Sequence, residues 1–192
     1  MTTSVSIASN ALLMLGAQPI NDFNEDADRA RLASNLYAPA RDLLLRSHPW
    51  NCAIKRVILS PDTEAPAFGF SYQFTLPGDW LRTLSVGDYG AEIDFRTEGR
   101  KLLADDAVLK LRYIFRNDQE STWDTMLIDA MTKTMSATMA YAITQSTSKE
   151  ELEFKKLDMA LKQARAVDGQ DDPPETLGDF RLLAARHSGR SW

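Results

Sequence analysis

The chain has 192 residues, 44% apolar and 26% charged, which suits one globular domain that buries about 70% of its unfolded surface. Its net charge of −5 argues against a protein that binds nucleic acid by neutralising phosphates. The single cysteine excludes an internal disulfide, and we expect neither a secretory leader nor a membrane span, because no basic-then-apolar leader or long uncharged apolar run is visible.

Two helices are predicted in the first 50 residues. The first spans 3–15, with Thr3 or Ser4 as its cap and Gly16 just past its end. The second spans 27–47, and its mid-pattern proline predicts a kink or a break. The predicted inner stripe of this second helix is Leu32, Leu36, Pro39, Leu43 and Leu44, flanked by Tyr37 and Leu45.

Between residues 52 and 116 the apolar period changes from helical to alternating, which predicts short antiparallel strands. The clearest run is 107–115, where one set of residues alternates with another: Ala107, Leu109, Leu111, Tyr113 and Phe115 with Val108, Lys110, Arg112 and Ile114. The other strand-like runs are 53–59, 70–76, 81–86 and 93–96, and turn signals such as Glu98-Gly99 separate them. We therefore expect an antiparallel meander inserted between the second and third helices.

A third helix is predicted over 122–145, where only Asp124, Asp129 and Lys133 are charged. A helix that is apolar nearly all round is buried on several sides. Either this helix is the central core helix of a monomer, or another subunit covers its second apolar stripe. The predicted subunit-interface residues of that stripe are Ile128, Met135, Met139 and Ile143.

A fourth helix is predicted from a capping box of Ser148 and Glu151 to about Val167. Asp158 and Lys162 form a favourable pair four residues apart on it. The residues predicted to face inward are Leu152, Leu157, Ala160, Leu161 and Ala164.

The character of the chain changes after Gly169, where an acidic stretch with Pro173-Pro174 predicts an extended linker. The apolar and basic segment beyond it is typical of a docking arm, for the chain's own body or for a partner. The predicted organisation is α+β: N-terminal bundle helices (1–50), an inserted antiparallel sheet (51–117), C-terminal bundle helices (118–168) and an extended docking tail (169–192).

Residues that carry chemistry are sparse, so we predict no catalysis, no cofactor and no metal site. The chain has two histidines, and a dyad of Cys52 with His48 is formally possible, but a buried structural cysteine is the simpler interpretation. No phosphate-binding glycine loop, dinucleotide fingerprint or nucleophile elbow occurs. The acidic pairs at 105–106 and 171–172 are best explained as a turn and a solvated linker.

Two segments together resemble the tail tubular protein A family, the head-to-tail adaptors of short-tailed phages. One is His48-Pro49-Trp50-Asn51-Cys52-Ala53, where a helix end turns into a strand, and the other is the aromatic strand, proline turn and strand of 70–82. Cys52 stands where the family usually has phenylalanine, and Phe70 and Phe74 stand among expected tyrosines. The resemblance covers most of residues 1–168 in order and spacing.

The resemblance implies a structural virion protein, made in the host cytoplasm, that forms a ring of usually twelve copies. That ring sits between the portal protein and the tail nozzle, a tail tubular protein B-like partner, and genomic DNA passes through it during ejection without specific binding. By the same resemblance, the portal-docking residues of the tail are Phe180, Arg181, Leu182, Leu183, Arg186 and Trp192. The alternative from another class is a non-enzymatic cytosolic binding module that holds one partner through this tail.

Overall fold

A computed structural model describes residues 2–88 and 93–171, and these ranges hold four α-helices and two three-stranded antiparallel sheets. The predicted α+β fold is confirmed. The helices are α1 (Ser4–Met14), α2 (Asp28–Ser47), α3 (Thr125–Thr144) and α4 (Thr147–Asp168). The strands are β1 (Ile54–Leu59), β2 (Tyr72–Thr75), β3 (Trp80–Val86), β4 (Phe95–Glu98), β5 (Lys101–Ala104) and β6 (Leu109–Phe115). Of the predicted tail, residues 172–192 lie outside the described residues.

Helix α1 begins and ends where the sequence predicts. The Thr3 and Ser6 side chains form a reciprocal capping box at its first turn. At its end Gly16 has φ +81°, and the Gly16 and Ala17 N–H groups donate to carbonyls of the last turn at 3.0 Å. This left-handed closure satisfies carbonyls that would otherwise have no partner.

Helix α2 runs unbroken through Pro39, so of the predicted kink or break the break is wrong and the kink stays a prediction. Pro39 lies on the exposed face, where water can satisfy the carbonyl that loses its helical donor. The predicted inner stripe is also partly wrong, because Leu43 is 70% exposed and Tyr37 lies in the core. Small residues form much of the inner face of α2, which packs against α3. The buried set is Ala30, Ala33, Tyr37, Ala40, Leu44 and Leu45.

The strands do not form a meander, which corrects the predicted topology. Sheet A has the order β1-β6-β3 and sheet B the order β2-β5-β4, so β6 joins two strands that are distant in sequence. Among the described strands, only β4 and β5 form a tight hairpin, with Gly99 at φ +57° in its turn. Strand β5 was not predicted, because Leu102-Leu103-Ala104 is buried throughout and shows no alternation.

Two apolar cores result from this arrangement. One lies between sheets A and B and includes Phe74, Leu102, Leu109 and Leu111. The other lies among the helices and extends onto sheet A at Leu81 and Ile114. Sheet A is therefore the layer that joins the helical half of the molecule to sheet B.

Helix α3 is the centre of the helical layer and packs against α1, α2 and α4. The expectation that it is buried on several sides is confirmed. The predicted interface stripe needs correction, because Met135 and Met139 are fully buried in the chain's own core. Neighbouring helices of the same chain, rather than another subunit, cover these two side chains.

The N-cap of helix α4 lies two residues before the predicted one. Its cap is Ser146, whose hydroxyl accepts a hydrogen bond from the Lys149 N–H at 3.3 Å. Its inner face is also different from the prediction: Ala160 and Ala164 are buried as expected, but Leu152 is exposed and Glu153 is fully buried. The predicted pair of Asp158 with Lys162 is present at 2.7 Å.

Candidate interaction surfaces

The corner between α2 and β1 is anchored by Trp50. Its ring is fully buried, and its indole N–H donates to the Leu44 carbonyl at 3.0 Å. His48 has extended backbone, as a residue before proline should, and its ring contacts the Trp50 ring edge-on with centroids 4.7 Å apart. The segment from His48 to Ala53 is therefore a packing corner of this fold.

Asp168 fastens the end of α4 to this corner. The Asn51 N–H donates to the Asp168 carboxylate at 3.1 Å, and the Asn51 side-chain amide donates to the Asp168 carbonyl at 2.9 Å. His48 Nε2 lies 3.3 Å from the other carboxylate oxygen. The end of α4 is consequently held in place beside the start of β1.

The electrostatics of this corner do not favour a cysteine nucleophile. Burial, helped by the charge of Asp168, raises the pKa of the Cys52 thiol to about 11. Burial also lowers the pKa of His48, and Arg165 and Arg82 add to that effect, so together they outweigh the attraction of Asp168. A Cys–His pair works through a thiolate of low pKa, whereas Cys52 is held as the neutral thiol.

A buried carboxylate joins α3 to α4. Glu153 accepts from the Ser136 hydroxyl at 3.0 Å, and it pairs with Lys156 at 2.8 Å and Lys149 at 3.1 Å. Burial on its own would raise the pKa of Glu153, but these three contacts hold it below the ordinary range. Lys149 also donates to the Met14 carbonyl at 3.4 Å, so the cluster reaches the end of α1.

The outer face of α4 carries large apolar side chains that the helical layer does not cover. Phe154 is 50% exposed and Met159 is 62% exposed. They line one shallow depression on the helix, whose other walls are Glu150, Glu151, Lys155 and Asp158. An apolar patch with a charged rim is typical of a protein interaction surface.

The sequence-predicted site residues fall in three different places. Met135 and Met139 are interior, while Ile128 and Ile143 are half-buried against the helical core. The predicted portal-docking residues lie outside the described residues: Phe180, Arg181, Leu182, Leu183, Arg186 and Trp192.

The α4 patch was not identified from the sequence. Glu153 has a lysine four residues before it and another three residues after it, a spacing that lets one carboxylate pair with both. That spacing is equally typical of an exposed helix face, so the burial of Glu153 is set by tertiary packing. With Glu153 on the inner face, Leu152 and Phe154 are turned away from it.

No protein-family model and no curated protein matches the chain. Among residues 2–88 and 93–171, no three histidine, cysteine, aspartate or glutamate side chains come together as a metal site. No helix within the same ranges is long and apolar enough to cross a membrane.

Proposed function

We propose that this protein is a structural virion component, the head-to-tail adaptor of a short-tailed phage. It assembles as a ring, of about twelve copies by the family resemblance, between the portal protein and the tail nozzle. Genomic DNA passes through the ring during ejection. The observation that carries the proposal is the uncovered apolar face of α4 at Phe154 and Met159.

That face is a suitable assembly surface because its backbone is held rigidly. Glu153 ties α4 to α3, and Asp168 ties its last turn to the corner at Asn51. A backbone that is already fixed loses little conformational freedom when a partner covers it, so more of the burial free energy is available for association. A partner that presents an apolar pocket with basic groups would complement Phe154 and its acidic rim.

The charge of the chain supports the role of a conduit. A net charge of −5 repels a polyanion on average, so DNA gains little by adhering to the ring. A conduit has to let DNA slide rather than hold it.

The test is to mix the purified protein with the portal ring of the phage that encodes it and to image the product by electron microscopy. We expect a second ring of density beneath the portal. A portal that stays undecorated at saturating protein concentration would contradict the adaptor role.

Two variants show whether α4 contributes to that assembly. Phe154→Ser combined with Met159→Ser should leave the fold intact, because both side chains are exposed, and should reduce portal decoration. Gln163→Ser is the matched control, an exposed polar position on the same helix. If the double variant decorated the portal as fully as the control does, α4 would not be part of the assembly surface.

A further inference from the structure

The outward face of sheet A carries two arginines directly opposite each other. Arg56 on β1 and Arg112 on β6 are register partners, and Ser85 on β3 is the partner of Arg112 on the other side. Directly opposed residues of antiparallel strands point to the same side of the sheet. Like charges in this position repel each other, so the pair destabilises the sheet unless an anion lies between them.

Neither arginine is neutralised by the rest of the described chain. The ion pairs among residues 2–88 and 93–171 include neither Arg56 nor Arg112, and the Nε atom of Arg112 is buried without a hydrogen-bond partner. Lys110, the next outward residue of β6, pairs with Asp88 at 2.7 Å. Two positive charges are therefore uncompensated on this face.

A cavity of about 350 Å³ lies at the same place. Its lining includes both arginines, Ser85, Lys110 and the 65% exposed Ile58. It also includes Asp88, whose carboxylate is paired with Lys110. The size is at the lower end of the range for small-molecule pockets. The helical layer covers sheet A at Ile114, two residues along β6, and leaves this part of the sheet open.

We propose that this cavity binds a phosphate group, with Arg56 and Arg112 as its cationic ligands and the Ser85 hydroxyl as an additional donor. A phosphate ester carries nearly two negative charges at neutral pH, which matches two guanidinium groups, whereas a carboxylate would neutralise only one. The guanidinium fork also suits phosphate oxygens geometrically. The assignment is independent of the adaptor role, since it rests only on sheet A.

Two negative charges favour the terminal phosphate of a small molecule over a nucleic-acid backbone, whose phosphodiesters carry one charge each, and the two sources can be separated. The experiment is titration of the ¹⁵N-labelled full chain at about pH 8 with pyrophosphate, inorganic phosphate or a short single-stranded DNA, followed by amide shifts. We expect the Ser85, Lys110 and Arg112 amides to respond to pyrophosphate or phosphate. If the oligonucleotide produces the same shifts and competes with pyrophosphate, the backbone of a nucleic acid is the source.

Three variants test the assignment. Arg56→Gln and Arg112→Gln should each weaken pyrophosphate binding at least tenfold, and Arg96→Gln, an exposed arginine on sheet B, should leave it unchanged. If Arg112→Gln fails to fold, Arg56→Gln still tests the phosphate site, because Arg56 is exposed and its replacement should leave the fold intact. The site is overturned if the wild-type chain shows no localised response to any of the three probes, or if Arg96→Gln weakens binding as much as the sheet A variants.

Discussion

Trp50 illustrates how one residue sets the relation between the two halves of this molecule. It follows the end of α2, and the core that surrounds it contains Leu45, Ala53 and Ile114 from the helices and sheet A. Its indole N–H has a backbone partner, so the ring is buried without an unsatisfied polar group. Near the end of α2, side-chain exposure differs strongly between adjacent residues, since Leu44 is buried and Leu43 is exposed.

Trp50→Ala should lower the free energy of unfolding by about 3–5 kcal/mol, because it removes a fully buried aromatic ring and leaves a cavity. Urea unfolding followed by far-ultraviolet circular dichroism measures the change. Leu43→Ala is the control and should stay within about 0.5 kcal/mol. A wild-type midpoint for Trp50→Ala would mean that the ring is covered by a partner rather than by this chain.

Glu153 should make stability depend on pH in the acid range. Its folded pKa lies below its unfolded value near 4.3, so the folded state favours the charged form. The contribution is fully present above the unfolded pKa and is lost as pH falls through the folded pKa. Asp79, whose pKa is also lowered, acts in the same direction.

Glu153→Gln should therefore flatten the loss of stability of the wild-type chain below about pH 4.3. Unfolding midpoints in urea, taken from neutral pH down to about pH 3, measure this dependence. Glu151→Gln, an exposed position on the same helix, should keep the wild-type pH dependence. An unchanged slope in Glu153→Gln would contradict the buried ion cluster.

At the scale of elements, the two serines at the start of α4 have different roles, since Ser146 caps the helix and Ser148 lies inside it. Ser146→Ala should destabilise the chain by about 1 kcal/mol, since it removes the side-chain acceptor for the Lys149 N–H. Ser148→Ala lies inside the helix at an exposed position and should be close to neutral. Thermal melts of both variants identify the capping residue. If Ser148→Ala were the more destabilising of the two, Ser148 would be the cap, as the sequence predicts.

The existence of most elements could be predicted from periodicity, but their faces and partners could not. The stripe of α2 was misplaced because large leucines were preferred over alanines, whereas helix–helix contact favours small residues. The face of α4 was misplaced because a glutamate is an improbable core residue until its lysine partners are taken together with it. The pairing of β1 with β6 is a long-range contact, for which strand patterning contains no local signal.

The candidate surfaces were harder to predict than the fold. The Phe154 patch and the Arg56–Arg112 cavity depend on which face of an element is left uncovered, and that depends on tertiary packing. The interface prediction for Met135 and Met139 failed for the same reason, since α3 is covered by helices of its own chain.

At the scale of the whole molecule, the described body should be independent of the residues beyond it. Among the described residues, the apolar side chains of both cores lie before position 169, and Asp168 contacts Asn51 and His48. A chain ending at Asp171 should therefore melt within a few degrees of the full chain. Differential scanning calorimetry compares the melting temperatures of the two proteins. If the truncated chain could not fold, the removed residues would belong to a core.

The connectivity of sheet A has a consequence for the order of folding. β1 and β6 enclose residues 60–108, so their pairing closes a long loop, whereas the β4–β5 hairpin closes through a two-residue turn. Closure entropy grows with loop length, so the hairpin can form early and sheet A only after the intervening chain has collapsed.

Gly99→Ala tests that order, because φ +57° strains any residue with a Cβ by about 1–2 kcal/mol. Stopped-flow folding in urea should show most of this change as slower refolding. Val57→Ala on β1 should instead mainly accelerate unfolding. If Gly99→Ala altered only the unfolding arm of the chevron, the hairpin would form after the rate-limiting step, and closure of the long loop would precede it.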